Sequence, residues 1–133
     1  MYKLNDKQLE EVLRLPGPIR YEYFIKRIAD WGNLYSLQSD AGWALARNKA
    51  GSELLPVWPH SKFAELCRSG DWVDCRVVEI PLREWIDRIS GILIARSVKV
   101  AVFPVPEGQG VIVEPERLLT DLRRETSNFM DDE

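Results

Sequence analysis

Histidine is nearly missing from this chain: His60 is the one copy among 133 residues, and cysteine is limited to Cys67 and Cys75. Two cysteines are too few for the disulfide framework of a small secreted domain, and with a single histidine they do not compose a zinc site. The expectation is a pair of reduced thiols in a cytoplasmic protein, with no metal. Long hydrophobic runs are lacking too. None nears the ~20 residues of a membrane-spanning helix, and no signal peptide precedes the first helix, so no membrane partner is expected. Nor is positive charge in excess: 18 Lys+Arg stand against 21 Asp+Glu, for a net charge of −3 and a pI near 5.3. Nucleic-acid binders show the opposite balance, so no nucleic-acid partner is expected. No Gly-rich phosphate loop occurs, since Gly108-Gln109-Gly110 reads as a hairpin turn, and neither an H-E-x-x-H helix nor a nucleophile elbow is present. No cofactor and no catalytic machinery are expected.

What the chain does contain is an ordinary globular balance of 45% apolar and 29% charged residues, enough for one domain with a real core. Asn5 followed by Gln8 has the spacing of a capping box, and Leu4 and Leu9 stand where a hydrophobic staple would. Pro16-Gly17-Pro18 ends that first helix and opens a second, in which Tyr21, Phe24, Ile25 and Ile28 share a face. From Asn33 the period becomes strand-like. Segments 33–38, 42–47 and 53–58 are separated by turn residues, as in an antiparallel meander, with Pro56 marking an edge or an irregularity. A helix follows from about Ser61 to near Gly70. Val77, Val78 and Ile80 then make a strand, and Pro81 opens a helix with Leu82, Trp85, Ile86 and Ile89 inward. The apolar stretch Val98 to Val105 suits a strand buried on both faces. After a turn at 106–110 come a strand, Val111 to Val113, and a last helix from Pro115 with Leu118, Leu119 and Leu122 inward.

These elements predict one α+β domain over residues 1–125: a single mixed, mainly antiparallel sheet covered by helices, with an N-terminal helical pair. Crossovers around residues 61–98 leave room for a parallel pairing. Residues 126–133 are expected to be a frayed acidic tail.

Four segments carry a family resemblance: Arg20-Tyr21-Glu22-Tyr23-Phe24, Gly42-Trp43-Ala44-Leu45, Leu55-Pro56-Val57-Trp58-Pro59-His60 and Val102-Phe103-Pro104. Over about residues 18 to 124 the chain resembles the bacterial domain-of-unknown-function family 2750. Its most specific part is the Leu-Pro-x-Trp-Pro-His segment with a helix directly after it. The resemblance implies a small, stand-alone bacterial cytoplasmic protein and supplies no reaction, cofactor or catalytic residue. The architecture is also similar to small modules of secretion-associated and immunity-like proteins, a likeness of fold that does not fix function.

His60 is the side chain whose ordinary pKa lies nearest neutrality, and a strand-to-helix corner brings it near orphan backbone N–H groups. Its structural alternative is to cap the helix and pack against Trp58. Among five tryptophans, Trp85 reads as core, and Trp31 and Trp72 as plugs at helix ends. Trp43 and Trp58, on meander strands, are the candidates for a partner-facing or ligand-facing surface, and core is their alternative. Cys67, on an inward helical stripe, is expected to be inert. Two functional expectations follow. One is a non-catalytic protein-interaction module, inhibitor-like or immunity-like by analogy, that uses charge complementarity to engage a protein partner near Trp43, Trp58 and His60. The alternative is a small-molecule binder or cryptic enzyme with a pocket at the Trp58-Pro59-His60 corner, where Arg20 or Tyr23 would orient the substrate. A homodimer through strand edges is compatible with either.

Overall fold

A computed structural model describes residues 4–106 and 108–131, the side chains of 127–131 excepted. Helix α1 (Asp6–Leu13) begins on the expected capping box: Gln8 N–H donates to Asn5 Oδ1 at 2.8 Å, and Asn5 N–H donates to Gln8 Oε1 at 3.2 Å. Helix α2 (Gly17–Trp31) starts with Pro18 in its first turn and buries Phe24, Ile25 and Ile28. It stops at Gly32, whose φ of 79° is one that residues with a Cβ avoid, and strand β1 (Asn33–Ser39) starts at once.

The fold is α+β, but its strands form two sheets rather than one. Strands β2 (Gly42–Trp43), β1 and β5 (Arg76–Pro81) make an antiparallel three-stranded sheet in that order. The second sheet runs β3 (Ala46–Arg47), β4 (Glu53–Val57), β6 (Lys99–Val102), β7 (Val111–Val113). Its β4–β6 pair is parallel and the others antiparallel. Segment 42–47, expected as one strand, is divided between the sheets.

Pro56 explains the division. Tyr35 and Trp58 exchange backbone bonds of 2.9 and 2.8 Å, the one bridge between β1 and the β4 segment among the described residues. Continuing that ladder would set Pro56 opposite Leu37, and proline has no N–H to donate. The Leu37 carbonyl accepts from Ala44 N–H at 2.9 Å instead, and the Pro56 carbonyl takes the buried Ser36 hydroxyl at 2.6 Å. One flank of β4 is thus shared, with β3 below Pro56 and β1 above it.

Helix α3 (Ser61–Leu66) lies over β1 and β5. A second helical stretch runs from α4 (Leu82–Glu84) through a π turn (Trp85–Ile89) into α5 (Ser90–Ala95). In the π turn the Trp85 carbonyl accepts both the N–H of Ser90, five residues on, and the Ser90 hydroxyl at 2.8 Å. Strand β6 is buried on both faces, as its composition predicts, but ends at Val102 because Phe103 turns to a φ of 58°. Helix α6 (Pro115–Asp131) packs on α2 and α5 and continues through residues 126–131, part of the stretch expected as a frayed acidic tail. Residues 132 and 133 lie outside the described residues. The core between helices and sheets holds Phe24, Ile28, Leu34, Leu55, Trp58, Phe63, Trp85, Val100, Phe103, Leu118 and Leu122.

Candidate functional site

Three features build a groove at the Pro59-His60 corner. The left-handed Gly32 folds the end of α2 directly onto the start of β1, which sets Asp30 and Trp31 beside Asn33 and Tyr35. Register then brings Glu79 of β5 opposite Tyr35, and the tyrosine hydroxyl donates to Glu79 Oε1 at 3.1 Å. Finally, the Tyr35–Trp58 bridge aims the chain so that Pro59 and His60 pass next to the same tyrosine, with ring centroids of Tyr35 and His60 6.3 Å apart. Leu4 and Asn5 line it as well. The groove encloses about 1080 Å³.

His60 caps α3: its Nδ1 accepts the Lys62 N–H at 3.1 Å. In the neutral imidazole this places the ring proton on Nε2. Its ring packs against Tyr35 and edge-on against Phe63, not against Trp58 as the capping alternative anticipated. Burial, with Glu79 next to it, raises the Tyr35 pKa, so the phenol stays a hydrogen-bond donor at neutral pH. Lys62 reaches across the groove to the Leu4 carbonyl at 2.7 Å. Asp30 and Glu79, in contrast, have no ion-pair partner among the described residues. Among the described residues, two carboxylates thus line the groove with one ammonium, that of Lys62, beside the rings of Trp31, Tyr35 and His60. The Arg27 guanidinium lies over the Trp31 ring, 5.4 Å from its centroid, a cation–π contact at one of these rings.

The other expected site residues go elsewhere. Trp58 is core, with 0% exposure; its indole N–H donates to the Pro104 carbonyl at 2.8 Å and Trp72 meets it edge-on. Arg20 is 7% exposed, and its guanidinium donates to the carbonyls of Leu15, Phe103 and Gln109 at 2.7, 3.2 and 2.9 Å. Burial lowers its pKa. It clamps three backbone segments and does not reach the groove. Tyr23 leans on Phe103 and carries the Arg27 guanidinium over its ring at 5.0 Å. Trp43 is exposed on β2, away from His60. Trp85 is core as expected, and Cys67 and Cys75 are both free and buried. Burial pushes the Cys67 thiol up to about 11, as expected of an inert cysteine.

Of the five residues proposed from sequence, His60 alone lines the groove. Asp30, Asn33, Tyr35 and Glu79 were missed, because cross-strand register, invisible along the chain, makes Tyr35 and Glu79 neighbours. A second groove of about 590 Å³ runs between α2, α6 and β7. Its central carboxylate, Asp121, already accepts the Tyr21 hydroxyl at 2.5 Å and pairs with Arg117 and Arg124 at 3.4 and 3.7 Å. That charge is answered within the protein. No helix among the described residues is long and apolar enough to cross a membrane.

Residues 21–122 match the sequence model of a family described as a protein of unknown function, DUF2750. No curated protein matches the chain.

Proposed function

The chain belongs to the DUF2750 family, which brings no reaction to inherit, and from the site itself we propose a non-catalytic binding module that holds a basic segment of a protein partner in the groove at the Pro59-His60 corner. The observation that carries this reading is the pair of carboxylates, Asp30 and Glu79, without ion-pair partners among the described residues, beside Trp31, Tyr35 and His60. A lysine or arginine side chain entering there meets opposite charge and ring faces together. The chain's net charge of −3 steers such a partner toward it. We place this binding in the bacterial cytoplasm, where two reduced thiols are at home.

A small cationic metabolite in the same groove is the other reading. The groove's size favours a polypeptide: about 1080 Å³ lies just above the roughly 300–1,000 Å³ usual for small-molecule sites. The test is capture from a lysate of the source organism by tagged wild type and by an Asp30→Asn/Glu79→Gln double variant. One stoichiometric protein is expected on the wild type, released by salt and absent from the double variant. Equal retention by both would overturn the reading, and thermal-shift gains with small amines but no protein captured would favour the metabolite.

A further inference from the structure

Strand β5 is an outer edge of its sheet, paired with β1 over six residues and with no strand on its other side among the described residues. Which of its peptide groups face outward follows from the antiparallel ladder, in which residues point alternately toward and away from a neighbour. Tyr35 exchanges both its backbone bonds with Trp58, and Leu37 gives its carbonyl to Ala44. Both therefore point away from β5. Their cross-strand partners Glu79 and Val77 sit at the non-hydrogen-bonded positions, with N–H and C=O directed out of the sheet. None of these four groups takes a backbone partner among the described residues. Alternation along the strand also places the Glu79 and Val77 side chains on one face, and for Glu79 that is the face of Tyr35 and the groove.

We propose that β5 is a docking edge at which an extended, basic segment of the protein partner adds as an antiparallel strand, hydrogen-bonding to Val77 and Glu79. The inference rests on the groove reading above and names the mode of capture. In such a pairing, the residue opposite Glu79 projects on the same face, with Cβ atoms about 5 Å apart. A lysine or arginine there meets the Glu79 carboxylate and points into the groove toward Asp30. Two residues along, the position opposite Val77 takes an apolar side chain. The partner motif is basic-x-apolar in extended conformation, with the main chain supplying affinity and the alternate side chains specificity. On the groove face the edge charge is that of Glu79, while Arg76, the other charge on the strand, alternates to the opposite face and pairs with Asp40 at 3.7 Å, so the groove face selects basic strands and disfavours a second copy of this acidic chain.

The probe is a short capped peptide in which lysine and valine alternate, separated by threonine, set beside the same peptide N-methylated on alternate amides and beside N-acetyl-lysine methylamide. Binding by wild type is expected to slow amide hydrogen exchange at Val77 and Glu79, to weaken with salt and to be lost on N-methylation. Val77→Pro removes an outward N–H without touching the β1 ladder, and is expected to fold and to bind roughly tenfold more weakly, the effect of one hydrogen bond to an edge. Glu79→Lys keeps the backbone edge and is expected to reject the lysine peptide and accept its glutamate counterpart. Lysine methylamide shifting the groove resonances while the peptide leaves Val77 and Glu79 unprotected would overturn strand addition and spare the groove reading. Neither probe shifting the groove would remove the groove reading and this inference with it. Self-association of wild type that Val77→Pro abolishes would assign the edge to a second copy and overturn the partner.

Discussion

A guanidinium that donates to three carbonyls on three separate segments cannot be exchanged for an ammonium without leaving acceptors bare. Arg20 does this for Leu15, Phe103 and Gln109. It ties the α1–α2 corner to the place where Phe103, in the left-handed region, ends β6. Arg20→Lys and Arg20→Met are both expected to destabilise the fold by about 3 kcal/mol, since either leaves buried acceptors without donors. Urea denaturation checks the loss, and groove binding, measured below the transition, should be unchanged. A variant with wild-type stability but impaired binding would return Arg20 to the ligand role that its chemistry suggests in the sequence. His60 makes the opposite comparison. His60→Ala is expected to keep the fold and lose about 0.5–1 kcal/mol with the α3 cap. His60→Asn should restore the cap and the stability without restoring the imidazole to the groove. Thermal melts beside binding isotherms for the two variants separate capping from recognition.

Short-range elements were legible because their causes are short-range. The α1 capping box, the Pro16-Gly17-Pro18 corner and the inward stripe of α2 each depend on residues within one or two helical turns. The two-sheet division depends on what stands opposite Pro56, and no local pattern reports that. Pro56 could be recognised as an irregularity, but that Leu37 would turn to Ala44 could not. The same reason hid the site: His60 announced itself by type, whereas Tyr35 and Glu79 are 44 residues apart and meet through register. At the junction, the Ser36 hydroxyl is fully buried and satisfies the Pro56 carbonyl that the missing ladder leaves over. Ser36→Ala is therefore expected to cost about 1–3 kcal/mol, the range for a buried acceptor losing its donor. Ser36→Thr, if its methyl group is accommodated, should cost less. Equal stability of Ser36→Ala and wild type in urea would mean that the junction does not need the bond.

Two tyrosines join parts of the molecule that are distant in sequence. Tyr21 holds α2 to α6 through Asp121, and Tyr35 holds β1 to β5 through Glu79. Each phenol is a donor to a carboxylate, so each of these two hydrogen bonds, added to helix packing in one case and to the backbone ladder in the other, exists only while the phenol keeps its proton. Burial first, then the adjacent carboxylate, raises both pKa values above the ordinary 10.0. The folded state thus binds these protons more tightly than the unfolded chain does. Their contribution to stability is complete below pH 10 and is lost as pH rises from there through the folded-state values, which is the sign linkage requires for raised pKa values. The molecule is expected to unfold on the alkaline side of that threshold, with Tyr21 and Tyr35 ionising together with the loss of structure. Near-ultraviolet absorbance of tyrosinate, followed beside far-ultraviolet circular dichroism, tests this. In Tyr21→Phe/Tyr35→Phe the protons are gone from both states, so the variant should be less stable than wild type at neutral pH and its stability should fall less steeply above pH 10. An unchanged alkaline slope in that variant would show that the two phenols do not couple helix to helix and strand to strand as their geometry requires.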